Sequence, residues 1–174
     1  MSQVLKKLRG GDLRSIGKSE EVVQDVLENP ALFGEVFEGM LDDDPTVRMR
    51  SADALEKVSS RHPEYLQPFK NRLINEASQI KQQEIHWHVA QMFSYLELSG
   101  SERDKVTRIL LSYLDSDKSK IVKVCSMQTL ANFAEEDKAI RPKVIVKLRE
   151  IVEIGSPAMV SRAKKLLAKL KSSQ

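Results

Sequence analysis

The side chains with the most chemistry in them are three histidines, one cysteine and one tryptophan. Their spacing offers little to a catalyst. His86 and His88 flank Trp87. On a helix, residues two apart point about 200° away from each other, so this pair cannot share a metal ion; that needs a spacing of three or four. His62 stands alone, and Cys125 has neither a CxxC neighbour nor a placed histidine, so it reads as structural. No glycine-rich phosphate loop, GxSxG or Walker pattern occurs. The expectation is a chain without catalytic residues, metal or cofactor. Trp87 leaves two readings open: packing between neighbouring helices, or a stacking surface for a ligand or base.

These residues fall on helices, and the helices follow from one stretch, Asp42 to Val58. Asp44 can cap a helix with its carboxylate, and Pro45 at the first helical position forfeits no needed N–H. Asp42, Asp43 and Asp44 sit where the macrodipole favours negative charge. Val47, Ser51, Ala54, Leu55 and Val58 recur at steps of three and four and make one apolar stripe. Arg48, Arg50, Asp53, Glu56 and Lys57 fall outside it. His62-Pro63 ends the run, because a residue before proline is pushed out of the helical region.

The stretch returns three times. Val47 has images at Ile85, Val122 and Met159, separated by 38, 37 and 37 residues. Four positions on stand Ser51, Val89, Ser126 and Ala163; eight on, Leu55, Phe93, Leu130 and Leu167; eleven on, Val58, Leu96, Phe133 and Leu170. The mostly small residue at the second position implies a close neighbour there. A fixed period of this length marks stacked units that cannot bury their apolar faces alone.

The run Asp42-Asp43-Asp44-Pro45-Thr46-Val47-Arg48-Met49-Arg50-Ser51-Ala52-Asp53-Ala54-Leu55 resembles the second helix of a HEAT repeat: an aspartate before it, then Val-Arg, a small residue and Ala-Leu. Leu114 to Asp117, leading to Val122-Lys123 and Leu130, is a second copy. The other two depart: His86 and Val160 replace the basic residue, and Ser156 stands where an aspartate would. The period is shorter than the family's roughly 40–47 residues. The resemblance covers about residues 20 to 171. It implies an all-α fold, a right-handed α-α superhelix of about four helix pairs with N-terminal capping helices. It further implies that the second helices line a concave face. Three ladders of residues would then cross that face: Arg50, His88, Cys125, Arg162; Asp53, Gln91, Gln128, Lys165; and Lys57, Tyr95, Asn132, Lys169. The resemblance makes Arg50, Asp53, Lys57, His88, Gln91, Tyr95, Gln128, Asn132, Arg162, Lys165 and Lys169 the expected partner-binding residues.

On that basis the chain is expected to be a monomeric, non-enzymatic scaffold for a protein partner. The alternative is a nucleic-acid-binding or DNA-repair protein resembling the HEAT-like glycosylases of alkylated bases. Arg50, Arg162, Lys165 and Lys169 would be its basic groove residues, and Trp87 or Tyr95 its stacking group. HEAT-like metal hydroxylases that act on hypusine carry His-Glu pairs, and none occurs here.

The 174 residues suit one domain or a short solenoid, and 41% hydrophobic residues supply a core. One cysteine excludes an internal disulfide framework and fits a reducing interior. No apolar run reaches the ~20 residues of a membrane helix, and Met1 to Arg9 has no signal-peptide core. A cytoplasmic protein is expected. The net charge of +3 hides a gradient: Ser19 to Lys57 holds eleven acidic and three basic residues, Lys138 to Lys171 ten basic and two acidic. Two readings stay open: two ordinary solvated faces, or a site for a polyanion or an acidic partner at the basic end. The expected organisation is a loose basic cap over 1–18, then one solenoid over 19–174 with repeats at about 30–62, 63–99, 101–136 and 138–171. Ser101 with Asp104 reads as the cap that opens the third repeat, and Gly155 as a terminator near the end.

Overall fold

The computed structural model describes residues 2–172. Among these the chain is all-α, with no strand. No helix among them is long and apolar enough to cross a membrane. The chain divides after Glu97 into two compact units.

The first unit holds α1 (Gln3–Lys6), α2 (Ser19–Glu28), α3 (Phe33–Gly39), α4 (Pro45–Ser59), α5 (Pro63–Leu66), α6 (Lys70–Asn75) and α7 (Gln83–Met92). Asp44 caps α4 as its side chain requires, accepting from the Thr46 N–H at 2.8 Å with Pro45 at the first position. α3 and α4 pack as a pair, and α4 also packs against α2 and α7. Pro68 removes a helical N–H and crowds the preceding turn, so what would be one helix is broken into α5, a 3-10 turn at Gln67–Phe69, and α6. An aromatic cluster joins this segment to α3: Phe69 stacks on Phe37 at 4.8 Å and lies 5.4 Å from Phe33, and Arg72 sits over the Phe37 ring.

The N-terminal segment, expected to be loose, is anchored. Val4 and Leu8 are buried, α1 packs on α3, and α2 packs on α4 as α7 does.

The second unit holds α8 (Gly100–Ser116), α9 (Lys120–Glu136), α10 (Arg141–Ile154) and α11 (Pro157–Ser172). α8 pairs with α9 and α10 with α11, and α9 packs on both α10 and α11. α8 opens on a capping box of Ser99 and Glu102, not on Ser101 and Asp104. Glutamate is one methylene longer, and its carboxylate reaches back to the Ser99 N–H at 2.7 Å. Gly155 follows α10 with an ordinary negative φ. Its role is steric, since a Cβ there would lie 2.5 Å from the Ile151 carbonyl. Arg141 donates to the Ala134 and Glu135 carbonyls at 2.6 and 2.9 Å, satisfying orphan acceptors at the end of α9.

The register of the apolar positions holds throughout. All the repeated positions from Val47 to Leu170 are buried except Leu167, which is half-buried beside a buried Leu166. The small residue at Ser51 meets its close neighbour at Gly39, where a Cβ would overlap the Ser51 hydroxyl and Leu5.

Candidate functional site

α4 is covered on more than its apolar stripe. Met49, Arg50, Ala52 and Asp53 are buried along with Val47, Ser51, Ala54 and Leu55. Arg50, expected on an open face, is 2% exposed. Its guanidinium donates to the carbonyls of Ser15 at 3.0 Å, Leu8 at 2.9 Å, Gly10 at 2.6 Å and Asp12 at 3.3 Å. The loop before α2 is wrapped around this one side chain. Gly17, with a φ of +54°, passes so close that a Cβ would lie 2.7 Å from Arg50 Cζ.

Asp53 is also buried. It accepts from the Ser19 hydroxyl and, at 2.9 Å, from Lys57 Nζ, which in turn reaches Glu20. His88 on α7 is 8% exposed, and its Nδ1 is buried without a hydrogen-bond partner among the described residues. Burial holds its pKa down at about 4; the Asp53 carboxylate pulls it up and the Lys57 ammonium pushes it down. Tyr95 falls in a 3-10 turn after α7 and donates its hydroxyl to Glu56 at 2.6 Å. Gln91 and Trp87 are half-buried, and the Trp87 ring lies 5.6 Å from that of His88.

In the second unit the ladder positions stay closer to solvent. Gln128 bonds Asn132 at 2.8 Å and accepts from Arg162, all three half-buried. Lys165 is exposed, and exposed Lys169 pairs with Glu135 at 2.7 Å. Cys125 is half-buried.

A common geometry links these pairs. Ser19 to Asp53, Arg48 to Gln82, Gln128 to Arg162 and Glu135 to Lys169 each join neighbouring packed helices, or the residue just ahead of one, at a separation of 34 residues. That is one helical turn short of the 37–38-residue period; Lys57 with Glu20 and Gln82 with the Pro45 carbonyl touch at the period itself, 37 residues apart. The arrangement spends Arg50 and Asp53 on holding the first unit together and leaves Lys57, Gln91, Tyr95, Gln128, Asn132, Arg162, Lys165 and Lys169 part-exposed or exposed. The signal for the extra cover on α4 was its run of small residues, Ser51, Ala52 and Ala54, on more than one face.

A cavity of about 560 Å³ opens beside the Arg50 loop, rimmed by Lys6, Lys7, Arg9 and Lys18. Three of those cations are already paired: Lys7 with Asp25, Arg9 with Asp42, Lys18 with Glu21. Among the described residues no three His, Cys, Asp or Glu side chains gather closely enough to hold a metal ion. Comparison with protein-family models, with curated protein sequences and with solved structures gives no match for this chain.

Proposed function

We propose that this chain is a HEAT-like helical-repeat protein and a non-enzymatic scaffold that takes a protein partner on the side of its second helices. One observation carries the reading: the same helix-on-helix packing recurs, α2 with α4, α4 with α7 and α9 with α11, and each of these contacts includes a side-chain link 34 residues apart. The capped Asp44-Pro45 helix start and the buried Val47, Ser51 and Leu55 support the HEAT assignment. Fold alone does not fix function, so the surface residues bear the weight. In the second unit, Lys165 and Lys169 are the exposed members of the ladders.

Capture from native lysate, with and without nuclease, tests the reading. A protein that survives nuclease and is lost from the Lys165→Glu/Lys169→Glu variant, with helicity by circular dichroism unchanged, is the expected outcome. Retention of the same partners by that variant would overturn the assigned face. Loss of all bound material after nuclease would point to nucleic acid as the ligand, and binding should then fall steeply with salt.

A further inference from the structure

We infer that the cleft between the α8–α9 turn and the α10–α11 turn is a docking site for an acidic segment of a partner protein, one with an aliphatic side chain among its carboxylates. The inference rests on the scaffold reading and names the chemistry of the partner. The cleft encloses about 430 Å³, within the range of roughly 300–1,000 Å³ typical of ligand sites.

Its charge is positive and largely uncommitted. Lys147 is held by Asp115 and Glu150, which also line the cleft, so that group carries net −1 against the other lysines of the lining. Lys118, Lys120 and Lys123 line it too and make no ion pair among the described residues. α9 begins at Lys120 and has no acidic residue in its first turn. The macrodipole already makes that helix end positive, and lysines add to it rather than offset it. α11 likewise opens without an acid, at Pro157 beside the cleft residue Ser156. The Ser156 hydroxyl oxygen is buried with no hydrogen-bond partner among the described residues. Ser119 caps the start of α9, accepting from the Val122 N–H, so a carboxylate entering the cleft would meet chiefly the ammonium groups of Lys118, Lys120 and Lys123.

The floor is apolar. Leu114, Ile151 and Met159 line it, and Ile154 is left 77% exposed at the rim. A bare polyanion would use the lysines and ignore the isoleucine. An acidic peptide with an aliphatic anchor uses both, and the cleft contains no aromatic side chain on which a base could stack.

The test uses the full chain and a fluorescein-labelled peptide of about twelve residues in Glu-Glu-Leu repeats, followed by anisotropy at low and near-physiological salt. The expected result is saturable binding, weakened about tenfold or more by Lys120→Glu/Lys123→Glu. It should weaken about threefold or more with Ile154→Ser, which changes no charge and sits at an exposed position. Lys138→Glu/Lys143→Glu, with the same charge change outside the cleft, should leave it intact. Equal loss in that control would reduce the effect to net charge and overturn the site. So would absence of peptide binding, or equal binding of a single-stranded oligonucleotide or phosphatidylserine vesicles with no response to Ile154→Ser. If the peptide is ignored while a nuclease-resistant partner still depends on Lys165 and Lys169, this docking site falls and the scaffold reading stands. If neither is seen, both fall.

Discussion

Burial places the His88 imidazole far below the ordinary histidine range, at about 4, with its Nδ1 unpaired inside the first unit. In the unfolded chain the ring protonates near 6.5. Between those values the unfolded state binds the extra proton, so stability is intact above about 6.5 and is lost as pH falls toward 4. Linkage makes the loss from pH 7 to pH 5 about 2 kcal/mol. Urea unfolding at those two pH values should show it in the natural chain, and His88→Gln should remove most of the difference. An unchanged pH dependence in the variant would mean that His88 is not the acid-labile group. The Lys57 ammonium on α4 adds to the effect, since it repels a protonated ring, while Asp53 opposes it. The same residues illustrate what helix-by-helix reading reaches. Arg50, Asp53 and His88 lie off the apolar stripe, and periodicity assigns such positions to solvent. It carries no information about a second helix or a loop laid over the other face, and here the wrapped loop covers Arg50 while α2, α3 and α7 all pack on α4.

At the scale of elements, the apolar register was legible because it depends only on steps of three and four along one helix and on a fixed return distance. The cross-helix pairing was not. It depends on the axial offset of packed helices, which brings some partners together a turn short of the period, at a separation of 34 residues, and others at the period itself. The broken segment from Pro63 to Asn75 shows a different limit: Pro63 and Pro68 both announce helix starts, and in the folded chain Pro63 opens α5 while Pro68 falls in the 3-10 turn that separates it from α6, with Phe69 stacked on Phe37. Close approach of helices was legible in kind, from the small residue at Ser51, and the folded chain supplies its partner. Gly39→Ala forces a Cβ into the Ser51 hydroxyl and Leu5, where α1, α3 and α4 converge. It should cost about 1–3 kcal/mol. Gly100→Ala is the control, at the first position of α8 with nothing near the new methyl. It should be neutral or stabilising by up to about 1 kcal/mol. Chemical denaturation of both variants decides it; a tolerated Gly39→Ala would contradict so tight an α3–α4 packing.

For the whole molecule, the decisive feature is that each unit closes a core from its own helices. Phe37, Leu55, Leu73 and Phe93 belong to the first, Leu110, Leu130, Leu148 and Leu170 to the second. Charge divides with them. The first unit holds 12 basic and 16 acidic residues, net −4, and the second 16 basic and 9 acidic, net +7. The gradient along the chain is therefore a difference between two folded bodies, and the cationic one carries the lysine-lined cleft. Separate cores predict separable unfolding, and the lone tryptophan makes that measurable. Trp87 lies in the first unit, so its emission follows that unit alone, while far-ultraviolet circular dichroism follows both. Leu130 is 1% exposed in the core of the second unit. Leu130→Ala removes buried methyl groups and leaves a cavity, costing about 2–5 kcal/mol. Two independent cores require the Trp87 transition to stay where it is in the natural chain while part of the dichroism signal melts earlier. A common downward shift of both signals would mean that the two cores unfold as one, and that the cleft in the second unit depends for its stability on helices of the first.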